Sequence, residues 1–217
     1  ARRYYADGVD ELIYMDSVAS LYERNSILPI IEEAASDVFV PLTVGGGMRS
    51  LDDIKAALRS GADKVAINTA ALRRPPFITE ASRAFGSQCV VISIEAKSRP
   101  EGGWEAYVDN GRERTGRDAI DWAREAEQLG AGEILVTSVD REGTRRGFDH
   151  ALFQAMQAAV SIPVIGCGGA WEHEHLRQAY ADDGLEAIAV ASLLHYGHST
   201  VAEMKRSLAG SGVGLRQ

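Results

Sequence analysis

Slid along itself by 122 positions, the sequence meets a second copy of itself. Residues 41–72 (PLTVGGGMRSLDDIKAALRSGADKVAINTAAL) lie without a gap over 163–194 (PVIGCGGAWEHEHLRQAYADDGLEAIAVASLL). Pro41 meets Pro163, Gly46 meets Gly168, Gly47 meets Gly169 and Leu72 meets Leu194. The register holds beyond that block, pairing Ala1 with Ala123, Arg2 with Arg124, Gly8 with Gly130, Glu11 with Glu133 and Val38 with Val160. A fixed period of this kind marks a fold assembled from one repeated unit. The chain therefore reads as one domain over 1–217, made of two half-barrels, 1–122 and 123–217.

What each half contains follows from periodicity. Short apolar runs without alternation recur at LIYM (12–15), LTV (42–44), KVAI (64–67), VVISI (90–94), EILV (133–136), VIGC (164–167) and AIAV (187–190). Runs this apolar suit strands covered on both faces. Between them lie amphipathic stretches such as SLDDIKAALRSG, where Ser50 is placed to cap, Asp52 and Asp53 fall in the first turn and Gly61 stops the helix. Strand and helix alternate seven times, the signature of a parallel α/β sheet. With 217 residues and 45% apolar composition, the chain can bury a core without a disulfide or metal. The expected fold is a (β/α)8 barrel. By the repeat register its first strand has no counterpart in this sequence, so a further stretch of about 35 residues, holding a first strand that ends in a carboxylate and the loop after it, is expected before Ala1.

Charge and composition narrow the partners. With 31 acidic and 23 basic residues the formal charge is −8, which argues against a nucleic-acid footprint. Cys89 and Cys167 both sit in apolar runs and are expected to be buried free thiols of a reducing compartment. No apolar stretch approaches a membrane span, and ARRYYADG has no apolar signal region. A cytoplasmic protein is expected.

In parallel barrels the strand C-terminal ends and following loops carry the chemistry. On that face the sequence places Asp16, Gly45 to Gly47, Asn68 to Ala70, Glu95 to Lys97, Thr137 to Thr144, Gly168 to Ala170 and Ala191 to Leu193. Glycine clusters let backbone N–H groups approach an oxyanion, and a helix N-terminus behind them adds favourable field. One such cluster is as readily a tight turn. Two at equivalent places, VGGGMRS and CGGAWEH, each followed by a small-residue segment (INTAA, VASLL), point to a substrate with a phosphate at each end. Glu95 ends an apolar strand, with Lys97 two residues on along the same face, and is the best acid/base candidate. Its competing reading is a structural ion pair at the barrel mouth. The loop TSVDREGTRRGFD offers Thr137 and Asp140 as site residues and Glu142 and Gly143 less strongly, against the alternative of a solvated connection. His173 and His175, two apart on a helix, point to different sides, and His195 and His198 fall in a loop without a metal-ligand pattern. No zinc, dinucleotide or catalytic-serine motif is visible, so no cofactor or metal is expected.

The segments VGGGMRS, GADKVAINTAA, FGSQCVV, TGRDAIDWA, GAGEILVTSVDREGT with GFD, and PVI followed by CGGA resemble the cyclase subunit of imidazole glycerol phosphate synthase along nearly the whole chain. The resemblance implies ring closure of a bisphosphorylated ribulosyl aminoimidazole carboxamide nucleotide with ammonia, giving imidazole glycerol phosphate and aminoimidazole carboxamide ribotide. It implies no cofactor, and ammonia from a glutaminase subunit docked on the opposite barrel face. By position, Gly46, Gly47, Asn68 and Thr69 would serve one phosphate, and Gly168, Gly169, Ala191 and Ser192 the other. Glu11, Lys64 and Glu133 would form the charged ammonia gate, and Asp63 would lie on the docking face. A stabilising charge cluster at the barrel base is the alternative for those three.

The sequence also departs from the family. Its two acid/base aspartates sit on the first and fifth strands; the first precedes this sequence, and the second is Glu95 here. The added methylene moves a carboxylate by about 1 to 1.5 Å unless its rotamer compensates, a misplacement able to cost about 100-fold in rate. Glu142 likewise replaces an aspartate, and Cys167 and Trp171 replace small residues. Three readings follow: the cyclase itself, a paralogous ammonia-channelling barrel serving surface-glycan sugar amidation, or a non-catalytic scaffold.

Overall fold

The structure is a computed structural model that describes residues 1–16 and 27–209. In chain order the strands are β1 (Leu12–Met15), β2 (Leu42–Gly45), β3 (Lys64–Ile67), β4 (Val90–Ser98), β5 (Trp104–Val108), β6 (Glu113–Asp118), β7 (Glu133–Ser138), β8 (Val164–Cys167) and β9 (Ala187–Ala189). The helices are α1 (Arg2–Ala6), α2 (Leu28–Asp37), α3 (Leu51–Arg59), α4 (Thr69–Arg73), α5 (Pro76–Phe85), α6 (Ala119–Gln128), α7 (His150–Ala159), α8 (His173–Ala181), α9 (Ser192–His195) and α10 (Val201–Leu208). Seven strands run parallel in the order β1-β2-β3-β4-β7-β8-β9, the wall of a (β/α)8-type barrel. The duplication is visible in the element bounds: shifted by 122, α2, β2 and α3 become α7, β8 and α8 residue for residue.

Alternating side chains along each strand divide the core in two. Leu42, Val44, Val65, Ile67, Ile92, Ile94, Ile134 and Val136 point outward into one large cluster with the helices, around buried Trp122, Phe77 and Phe153. Residues of opposite parity point inward, where Ala66, Val91 and Leu135 pack with Ile13, Ile165, Cys167 and Ala189. Local signals set the helix starts. Ser50 caps α3 in a reciprocal box with Asp53, as the spacing predicts, and Gly61 follows the last turn at φ 108°.

Several sequence expectations are corrected. The strand expected over 90–94 continues to Ser98, and the residues after it, where no strand was expected, fold into the antiparallel hairpin β5–β6, paired to the far end of β4. The hairpin is held by Glu105, almost fully buried, whose carboxylate accepts from Arg114 Nη2 at 2.7 Å and from the Gly116 amide at 2.8 Å. Trp104 Nε1 ties it to the second half by donating to Asp149, the N-cap of α7, at 3.2 Å. Cys89 and Cys167 are free and intermediate in exposure, with the Cys167 side chain turned into the barrel, and His195 ends α9 rather than lying in a loop. Among the described residues, no helix is long and apolar enough to cross a membrane.

Candidate active site

Strand register brings the mouth residues to one level. Glu95 pairs across to Thr137, and Thr137 to Cys167, so three inward-facing side chains from β4, β7 and β8 form a row. A cavity of about 340 Å³ opens beside it, lined by Asp16, Gly46, Gly47, Asn68, Thr69 and Glu95 among others. Six residues singled out from sequence thus share one cavity.

The Glu95 carboxylate is held at one oxygen. Its Oε2 accepts from Asn68 Nδ2 at 2.9 Å and from the Gly111 amide at 2.8 Å, whereas Oε1 has no hydrogen bond among the described residues. Burial raises its pKa above the ordinary carboxylate range; the nearby charges of Glu142 and Asp109 push the same way, against the Gly111 and Asn68 donors. Lys97 makes no ion pair with Glu95; its ammonium lies 5.6 Å from the Tyr107 ring centroid. Asp140 stands apart from the cavity and accepts from the Ser98 amide and hydroxyl, each at 2.7 Å. Glu142 is exposed, yet its charge is felt by both Glu95 and Cys167. Gly143 sits in the same loop at φ 71°, with room around it.

Each half builds one glycine cradle. Gly46 and Gly47 follow β2 at φ 93° and 76°, and Gly168 and Gly169 follow β8 at φ 106° and 96°. Asn68 caps α4 with φ −118° and ψ −89°, and Ala191 caps α9 ahead of Ser192 with φ −126° and ψ −66°, so the second segment of each cradle repeats too. The Gly168 side does not line the cavity that holds Glu95; over it the Gly147 amide donates to the Gly169 carbonyl at 2.9 Å.

Several residues at the mouth have no place in the sequence reading. Asp109, Asn110 and Gly111, at the tip of the β5–β6 hairpin, all have positive φ (52°, 59° and 71°). Asp109 and Asn110 line the cavity, as does Arg73. The signal was present: Asn-Gly between WEAYV and a polar strand is a hairpin turn signature.

At the opposite end of the barrel, Lys64 Nζ lies 2.6 Å from Glu133 and 3.1 Å from Glu11. These three side chains project inward from the N-terminal ends of β3, β7 and β1. Beside them the Asp63 carboxylate accepts from the Leu42 amide at 2.8 Å, and its own amide donates to the Leu42 carbonyl at the same distance.

A parallel barrel wall with a desolvated carboxylate among backbone cradles at the strand C-terminal ends is the build of a (β/α)8 enzyme. The chain belongs to the histidine biosynthesis protein family, which it matches over residues 1–200. It is 60% identical, over 169 residues, to the imidazole glycerol phosphate synthase subunit HisF of Legionella pneumophila, an alignment covering 78% of this chain and 80% of that protein. Its place in the family is thus beside the cyclase subunit of that synthase.

Proposed function

We propose that the chain performs ammonia-dependent cyclisation of a bisphosphorylated ribulosyl aminoimidazole carboxamide nucleotide, with Glu95 as the proton-transfer group. The observation that carries this reading is the one-sided fixing of Glu95: Oε2 is pinned by Asn68 and Gly111, and the side chain borders the cavity with Oε1 unbonded. Closing the ring requires a proton for the oxygen that leaves as water, removal of protons from the attacking nitrogen, and cleavage of the C–N bond to the aminoimidazole carboxamide ribotide with a proton delivered to its leaving nitrogen. A carboxyl whose pKa is raised by burial gives and takes a proton more readily than an ordinary one and serves these steps. Asn68 Oδ1 is buried without a partner, an arrangement costing about 1 to 3 kcal/mol, and a donor on the bound substrate would relieve it.

Gly46, Gly47, Asn68 and Thr69 would take one phosphate through backbone donors, and Gly168, Gly169, Ala191 and Ser192 the other. Thr137 sits between Glu95 and Cys167 and would orient the reacting centre; Asp16 closes the near wall. Asp140 would act by holding the end of β4. At the barrel base, Lys64 with Glu11 and Glu133 would admit ammonia released by a glutaminase docked over Asp63, in a cytoplasmic heterodimer. The relative's designation as a subunit supports a partner of this kind.

The test is steady-state cyclisation with saturating ammonium and no glutaminase. Glu95→Gln should lower kcat by about 100-fold or more while KM for the nucleotide changes little. An active wild type with an unimpaired Glu95→Gln variant would remove Glu95 from the chemistry.

A further inference from the structure

The Gly111 amide that holds Glu95 is not part of the barrel wall. It is delivered by the β5–β6 hairpin, which bends back over the mouth through three consecutive left-handed residues, Asp109, Asn110 and Gly111. Two of these are not glycine, a conformation that costs roughly 1 to 2 kcal/mol per residue and persists only when its surroundings impose it. Those surroundings are specific. Arg73, in α4 next to the first cradle, reaches Asp109 Oδ2 at 3.4 Å and Glu113 at 3.6 Å. Thr69 Oγ1 accepts from the Asp109 amide at 3.4 Å, and Asn68 Nδ2 donates to the Tyr107 carbonyl at 3.3 Å as well as to Glu95. The tip is therefore fastened to the Asn68–Arg73 segment, the second part of the first cradle, at points on either side of Gly111 in the chain.

We infer that Arg73 and Asp109 are positioning residues for the reaction: by latching the hairpin tip they place the Gly111 amide on Glu95 Oε2, fixing where the longer glutamate side chain presents its free oxygen. This inference rests on the proposed role of Glu95. It answers the extra methylene directly, since a carboxylate one bond further from the backbone needs a second donor outside the strand to keep one orientation. The charged and titratable groups around Glu95 are Asp16 beyond β1, Arg49 beyond β2, Arg73 and Arg74 at the end of α4, Lys97 on its own strand, Tyr107 across from it on β5, Asp109 at the tip, Glu142 in the β7–α7 loop and the Cys167 thiol on β8. Loosening the latch removes the Gly111 donor to the ionised carboxylate, which outweighs the Asp109 charge that moves away with it, while burial and Glu142 stay in place, so Glu95 then holds its proton to higher pH.

The test is the pH profile of kcat/KM for ammonia-dependent cyclisation, in full-length wild type, Arg73→Ala, Arg73→Lys, Gly111→Ala and Glu95→Gln. Gly111→Ala displaces the amide without changing charge, because a Cβ there would stand 3.1 Å from both methyls of Val139 at φ 71°. The acid limb is expected to move up by about one pH unit in Arg73→Ala and in Gly111→Ala, with Arg73→Lys between them and wild type. Acid limbs that coincide with wild type in both variants overturn the inference. So does a rise in KM alone in Arg73→Ala, which would make Arg73 a direct holder of substrate. If Glu95→Gln keeps the wild-type profile, the Glu95 assignment itself fails and this inference falls with it.

Discussion

Gly46 and Gly168, one in each half of the chain, meet the same obstacle at the same place: an added Cβ would stand 2.3 Å from the Asp16 carbonyl oxygen in the first half and 2.8 Å from the Ser138 carbonyl oxygen in the second. Asp16 and Ser138 are themselves related by the 122-residue shift. Both contacts are with backbone, which cannot step aside. Gly46→Ala and Gly168→Ala should each lower unfolding free energy by about 2 to 4 kcal/mol, the former more, and weaken inorganic phosphate binding at the altered cradle. Urea unfolding and phosphate titration of each variant measure this; equal stability with wild type would contradict the clash.

Lys64 has only 16% of its side chain exposed and joins two acids, one of them, Glu133, 17% exposed with Oε2 buried and unpartnered. Burial by itself lowers the Lys64 pKa, but the bonds to Glu133 and Glu11 outweigh it and the net shift is upward. A raised lysine stabilises fully below the ordinary value of 10.5 and loses that contribution only as pH climbs through the higher folded value. Lys64→Met should therefore cost roughly 3 kcal/mol, evenly across pH 6 to 9, because two acids are left facing each other. The double variant Lys64→Met with Glu133→Gln should recover most of that loss in denaturant melts.

Glu95 has the opposite effect on the fold. A carboxyl whose pKa is raised on folding destabilises the native state once pH passes its ordinary value of 4.5. Glu95→Gln should therefore melt at a higher temperature than wild type at pH 7 to 8, with the gap closing as pH falls toward 4. Melting curves across that range decide it; a gap that stays constant with pH would mean the carboxylate is not held at a disadvantage.

The Cys167 thiol is pushed up to about 11, chiefly by burial, with the charge of Glu142 adding to it. At pH 8 only about one molecule in a thousand carries the reactive thiolate there. Iodoacetamide should leave Cys167 unmodified in the native protein and label it on unfolding, as peptide mapping by mass spectrometry would show. Cys167→Ser should keep the fold, since Thr137 remains beside it as a hydrogen-bond partner.

Much of this could be read from the sequence because it is local. The runs LIYM, KVAI and VIGC coincide with β1, β3 and β8, since buried parallel strands are uniformly apolar and have sharp polar ends. Glu11, Lys64 and Glu133 meet because each is the residue that opens or precedes a strand, so barrel closure alone brings them to one level. What sequence did not yield depends on a returning chain. Nothing in VVISIEAK says that β4 continues past Glu95, because residues 95–98 acquire strand geometry from pairing with Trp104–Tyr107. Lys97 follows Glu95 at strand spacing, yet its side chain turns to Tyr107, a residue supplied by that same return. Asp140 failed to join the cavity for the same reason: the extended β4 offered it the Ser98 amide.

The paired cradles also bear on direction. A mouth assembled from two like halves would accept a ligand carrying an anion at each end in either of two opposite senses, and under the proposed function only one of them would put the reacting carbon against Glu95. The halves are unlike where the hairpin tip stands over the first cradle, while above the second Arg145 rests 3.9 Å from the Trp171 ring centroid and the His198 ring, tilted by 59°, lies 4.0 Å from the same ring. One end of the mouth is capped by backbone and an acid, the other by aromatic rings and a cation. The molecule thereby acquires a head and a tail, and a near-symmetrical guest can be told which way round to lie.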